Sequence, residues 1–378
     1  MDQFDDIRPY RDSEVPQVLH RMARNPQLVT ALAKYRQPRL ATFLPWLSKA
    51  LVGHMLSIEF GKVGDIAGFQ SMMEKYFEHM LKISVQQFTH KGLDRLEPGR
   101  GYVFVSNHRD IALDSAFLHY ALMQNGINTC HIAIGDNLLG TGFVSDVMRL
   151  NKSFIIPRNV KGIKKAYASM LKTSRYIRHC VEQGESVWIA QREGRSKNGY
   201  DRTDVALVKM LGLAFRKEVS EFSEVVKMLN IVPVSISYEL DPCDMDKTRE
   251  LFAADQSDYE KPQGADLKSI LRGITGEKGR VHLEVSKQLS EGCVDAEQTA
   301  RTLDAAIVGG LRVFPTHDYA QQMLVGDSAD MQKDYLKNGG KIAGLFLNRL
   351  AGCSNTEKPY LLAQYANVIR NKRDLGLT

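Results

Sequence analysis

YVFVSNHRDIALD, residues 102–114, decides the fold. Val103, Phe104 and Val105 form a short run of apolar, β-forming side chains that gives way at once to polar residues. That is the pattern of a buried strand ending in a loop, and the Pro98-Gly99 turn before it marks where the strand begins. Similar runs recur at SFIIP (153–157), SVWIAQ (186–191), IVPVSISY (231–238) and RVHLEVS (280–286). Helix-length segments at 162–183 and 204–219 separate them. Strand, helix, strand at this rhythm predicts an α/β fold with a mostly parallel central sheet covered by helices. Residues 1–90 read as a helical N-terminal region. Within it Phe69, Met72, Met73, Tyr76, Phe77 and Met80 recur at three- and four-residue spacings, one apolar helix face that core packing explains. An α/β domain is expected over 91–290, and a helical C-terminal region over 291–378, including KIAGLFLNRL (341–350).

Composition narrows the class. The 378 residues are 43% hydrophobic and 25% charged, ordinary for a globular chain and unlike a disordered or collagenous one. Cys130, Cys180, Cys243, Cys293 and Cys353 lie fifty residues or more apart, so no close metal-ligand or redox pair exists. A reducing, cytoplasmic setting is expected, with no metal and no cofactor. The polar opening MDQFDDIRPYRDSEVPQ is not a signal peptide. Residues 41–58, broken by Pro45, Lys49 and His54, read as a core or interfacial helix, because a span needs roughly 20 predominantly apolar residues. Net charge is +6, yet residues 152–217 hold fifteen Lys/Arg against five Asp/Glu. One region is therefore built to meet anions, unless it is simply a solvated face. Nucleic acid is the disfavoured anion, because no nucleic-acid-binding motif accompanies the charge.

In open α/β sheets the working residues stand beyond the carboxyl ends of strands. Four polar clusters stand at such ends here: NHRDIALD, then Arg158, then REGRSKNG, then Tyr238 and Glu239. His108 directly follows a strand, where a neutral imidazole can take a proton from a hydroxyl if a carboxylate fixes its tautomer. The plainer reading is a core histidine satisfied by a carbonyl. Positions two and six along a continuous helix are off the face of His108, so it must sit in the turn before the helix. Asp110 is then placed to cap that helix, which makes Asp114 the better orienter, with Asp110 as the alternative. In the third cluster Gly194 lets backbone approach a ligand, while Arg195 and Lys197 offer phosphate donors. Arg158 could complete such a clamp.

Taken in order, these blocks resemble the four motifs of the glycerol-phosphate acyltransferase family of phospholipid synthesis. SNHRDIALDSAFL resembles a first motif of the form HRSHMD, SFIIPRN a strand ending in arginine, REGRSKNG the form EGGRSRTG, and VPVSISYE the form VPVSIGYE. The likeness spans roughly residues 95–245. Five residues separate His108 from Asp114 where the family has four, and Arg192 and Glu193 stand where a Glu and a Gly are expected. The resemblance implies that His108, held by Asp114, deprotonates an acceptor hydroxyl, which attacks the thioester of acyl-CoA or acyl-carrier protein. Arg158, Glu193, Gly194, Arg195, Ser196 and Lys197 would bind the phosphorylated glycerol acceptor. Pro233, Tyr238 and Glu239 would shape the acyl-donor side. Glycerol-3-phosphate is the expected acceptor. Lysophosphatidate or an amino-lipid is the alternative, and a membrane-peripheral lipid-binding protein without turnover is the non-enzyme reading. Long acyl chains partition into bilayers, so the expected place is peripheral, on the inner face of the membrane, with residues 41–58 helping to dock.

Overall fold

The computed structural model describes residues 3–377 apart from 159, 257, 258, 260, 261, 263, 291, 327 and 328, and leaves the side chains of 139–141 and 329 undescribed. Among the described residues there are seven strands: β1 (Val85–Lys91), β2 (Val103–Ser106), β3 (His131–Gly135), β4 (Ser153–Ile156), β5 (Val187–Ala190), β6 (Ile231–Tyr238) and β7 (Gly279–Val285). The first helices are α1 (Val15–Ala23), α2 (Pro26–Arg36), α3 (Pro38–Phe43), α4 (Pro45–Phe60) and α5 (Ile66–Ser84). Between strands lie α6 (Leu113–Gln124), α7 (Phe143–Leu150), α8 (Ile163–Glu182), α9 (Val205–Gly212), α10 (Phe222–Met228), α11 (Asp244–Gln256) and α12 (Ala265–Thr275). After the last strand come α13 (Ala296–Gly310), α14 (Pro315–Met323), α15 (Ala329–Ala351) and α16 (Lys358–Asp374).

The chain divides into two compact units, residues 1–76 with 131–169 and residues 77–130 with 170–378. In the first, α1, α2, α4 and α5 enclose a core containing Leu19, Met22, Val52, Leu56 and Phe69. The unit also holds the parallel pair β3 and β4, in register from Ile132 opposite Ser153. The carbonyl of Ile7 accepts the Ile155 N–H at 2.9 Å, so the N-terminal segment lies along β4.

The second unit holds β1, β7, β6, β2 and β5 side by side in that order. Its neighbours are parallel except β6 and β7. Every residue of β2 and β6 is buried, as strands covered on both faces require. Pro233 fits inside β6 because its carbonyl takes the N–H of Ser286, just past the end of β7. Its missing donor faces the same side, where the ladder has stopped.

Two strands depart from the sequence reading. β1 lies within the stretch expected to be helical, and VQQFTHK lacks an apolar run because it sits at a sheet edge, exposed at Gln86, Gln87, His90 and Lys91. Pairing with β7 decides its state, which local propensity does not. β3, HIAIG, is only five residues long, and its pairing with β4 rather than a marked local pattern decides its state.

The C-terminal helices pack a second core, in which Tyr319, Tyr335, Phe346 and Tyr365 meet ring to ring. α14 opens on a side-chain cap, His317 Nδ1 accepting the Phe314 N–H at 3.1 Å. α16 closes over the loop 198–201. Asn371 Oδ1 accepts the Asp201 N–H at 2.8 Å, and Asn367 donates to the Asn198 carbonyl at 2.8 Å. At Gly199, where φ is +75°, a Cβ would stand 1.8 Å from the Gln364 carbonyl oxygen, so no larger residue fits.

Candidate active site

β2 ends at Ser106, and the next six residues turn before α6 begins at Leu113. That turn is clamped along its length. The Asn107 amide both donates to the Ile236 carbonyl at 2.9 Å and accepts the Ile236 N–H at 2.8 Å, tying the turn to β6. The His108 carbonyl accepts the Ser196 N–H at 2.8 Å, and the Arg109 carbonyl accepts from Lys247 Nζ at 2.7 Å. The Arg109 guanidinium forks onto both oxygens of Asp201 at 2.7 and 2.5 Å, a buried, bidentate pair.

His108 Nδ1 lies 2.7 Å from Asp114 Oδ2. A carboxylate can only accept, so Nδ1 carries the hydrogen and Nε2 keeps the lone pair that can receive a proton. The extra residue in the His–Asp spacing is taken up in the turn, since the two do not share a continuous helix. Asp114 is 2% exposed, and its charge is balanced by donors rather than by water. Oδ2 also accepts the N–H groups of Arg109 and Asp110 at 2.6 and 3.0 Å, and Oδ1 accepts the Tyr238 hydroxyl at 2.8 Å. Burial, and then the charge of Asp114, push the Tyr238 phenol well up, which keeps it a donor. The Trp188 ring stands edge-on to the imidazole, centroids 5.6 Å apart.

Asp110 does different work. Its Oδ1 accepts the N–H groups of Ala112 and Leu113 at 3.0 and 2.9 Å, capping the entry to α6. Oδ2 is buried without a hydrogen-bond partner among the described residues. It packs against Gly273 of α12, where a Cβ would stand 2.3 Å away. Burial, with the charge of Asp114 behind it, pushes the Asp110 carboxyl up.

The REGRSKNG loop follows β5 and turns at Gly194, φ +74°. Ser196 is buried and donates to the Tyr200 carbonyl, while Glu193 is exposed. Arg195 donates to Ser269 Oγ at 2.7 Å, and Lys197 pairs with Glu250 at 2.5 Å. Beyond β6, Glu239 is buried and clamps Arg280 through both oxygens at 2.6 and 2.8 Å. The polar atoms of Tyr238 and Glu239 thus turn to internal partners. Pro233 is buried within its strand.

The structure therefore gathers His108, Asp114, Gly194, Arg195, Ser196, Lys197 and Tyr238 in one unit. Arg158 belongs to the other unit, exposed after β4, with its N–H donating to Asp136 and its guanidinium over Gly135. Sequence reasoning missed Asn107, Trp188, Asp201, Lys247, Glu250 and Ser269. Only Asn107 carried a signal, as a polar residue at a strand end.

Residues 87–237 match the family model described as Acyltransferase. No curated protein matches the sequence. Among solved structures, the 1-acyl-sn-glycerophosphate (LPA) acyltransferase PlsC of Thermotoga maritima is matched over 74% of this chain and 91% of its own. That match has 15% identity and a TM-score of 0.39.

Proposed function

We propose, from the premise that residues 87–237 form an acyltransferase domain, that this protein moves a fatty acyl group to a hydroxyl of glycerol-3-phosphate or a related phospholipid precursor. The observation that carries the reading is the 2.7 Å contact between His108 Nδ1 and Asp114 Oδ2 at the end of a buried strand. His108 Nε2 takes the acceptor's hydroxyl proton as the oxygen attacks the thioester carbonyl of acyl-CoA or acyl-carrier protein. Collapse of the tetrahedral adduct breaks the C–S bond, and the imidazolium returns the proton to the departing thiolate. No acyl-enzyme is required. Asp114 steadies the imidazolium without accepting the proton. Arg195 and Lys197 are the cations of this unit assigned to the acceptor's phosphate.

The same reading puts the protein at a membrane surface, where long acyl chains are found. No helix among the described residues is long and apolar enough to cross a membrane. Phe43 and Trp46, on α3 and at the start of α4, are 81% and 69% exposed, which suits shallow insertion by aromatic side chains. The test is acyl transfer by purified protein with palmitoyl-CoA and acyl-carrier protein as donors, and glycerol-3-phosphate and lysophosphatidate as competing acceptors. Turnover on one acceptor that collapses in His108→Ala supports the reading and identifies the acceptor. A wild type inert toward all pairs would sink it.

A further inference from the structure

Two of the three cations of the REGRSKNG loop, Arg195 and Lys197, already hold partners, and both partners come from one insertion. Between β6 and β7 the chain makes α11 and α12, which lie over the loop. Gly273 packs on Asp110, Ser269 takes the Arg195 hydrogen bond at 2.7 Å, and Glu250 meets Lys197 at 2.5 Å. These contacts differ in kind. A hydroxyl is a neutral partner that an anion displaces readily. Glu250 is a full negative charge, its side chain 13% exposed against 38% for Lys197, so an anion reaching the open side of Lys197 competes with a counter-ion already in place.

We propose that Glu250 is a built-in counter-ion that tunes the affinity for a phosphorylated acceptor, holding Lys197 until a phosphate monoester displaces it. This rests on the reading that Arg195 and Lys197 bind the acceptor's phosphate. A phosphate monoester near neutrality brings more negative charge and more acceptor oxygens than a carboxylate, so it wins Lys197 and gains the forked donors of Arg195 as well. A neutral acceptor offers Lys197 nothing that Glu250 does not already supply. The residual repulsion between Glu250 and a bound phosphate then raises the KM for phosphorylated acceptors without touching the proton transfer at His108.

The experiment is a steady-state comparison of wild type, Glu250→Gln, Lys197→Gln and the double variant. Palmitoyl-CoA is the donor, and glycerol-3-phosphate and glycerol are the acceptors. Glu250→Gln is isosteric and should lower the KM for glycerol-3-phosphate about three- to tenfold, the scale of one partly screened charge contact. The kcat should stay within about twofold, and the kinetics with glycerol should not move. In the Lys197→Gln background the second substitution should have no effect on KM. Calorimetry with inorganic phosphate should show the same tightening in Glu250→Gln without turnover. An unchanged or raised KM would overturn the proposal, as would an equal shift with glycerol or a shift that persists without Lys197. Wild-type turnover with an unresponsive Glu250→Gln overturns this inference alone. A wild type inert toward glycerol-3-phosphate and lysophosphatidate with either donor overturns the underlying reading with it.

Discussion

Asp114 accepts four hydrogen bonds, and an asparagine cannot accept all four, because one of its two polar atoms is a donor. Asp114→Asn should therefore turn the His108 ring or its tautomer. Measured as acyl transfer, kcat should fall about 10³- to 10⁴-fold with KM for the donor little changed, the scale known for such a pair elsewhere. Tyr238→Phe removes one donor to a buried carboxylate. Denaturant unfolding should show a loss of about 1–3 kcal/mol, and kcat should drop far less than in Asp114→Asn. At this scale the sequence was partly legible. His108 and its candidate carboxylates stood out because a strand ends beside them. The partner that Tyr238 finds was hidden, since its hydroxyl reaches Asp114 across 124 positions.

Elements add constraints that no local pattern carries. His317 caps α14 only while Nδ1 has its lone pair. Burial, reinforced by the positive charge of Arg109, pushes its pKa down to about 3 from the ordinary 6.5. Between those values the unfolded chain binds a proton that the folded chain refuses. Stability is therefore complete above about pH 6.5 and should fall as pH drops toward 3, by up to roughly 4–5 kcal/mol from this group. Unfolding free energies of wild type and His317→Asn across that window test it, since an asparagine oxygen can cap without titrating. If both chains lose stability in parallel, His317 is not the titrating group. Gly199→Ala forces a Cβ against the Gln364 carbonyl at a left-handed backbone position. It should cost about 2–4 kcal/mol in the same assay. Strands β2, β4, β5 and β6 were legible because burial makes apolar runs, and β7 because its apolar residues alternate with polar ones. The clasp of α16 on residues 198–201 was not, because it consists of polar side chains meeting backbone.

For the molecule as a whole, the +6 net charge conceals a basic stretch over residues 152–217 that the rest of the chain offsets. If the protein works at an anionic bilayer, co-sedimentation with vesicles containing phosphatidylglycerol should exceed that with neutral phosphatidylcholine, and the excess should fade as salt rises. Replacing both Phe43 and Trp46 by Ser should weaken binding to either vesicle about tenfold or more, as each aromatic loses apolar burial. Equal pelleting of the double variant and wild type would place the contact elsewhere. The α/β class could be read from the strand rhythm, whereas the division into two units could not, because residues 131–169 join the N-terminal helices across a long stretch of chain.

The hydrogen bond from the Asp201 N–H to Asn371 has a consequence for how the protein is made. Arg109, next to His108, leans on Asp201, and Asp201 in turn is held by α16. The ribosome delivers Asn371 long after His108. A nascent chain can therefore build its sheet long before the turn that carries His108 is held, and a product released before α16 would be folded in large part with that turn left unclasped.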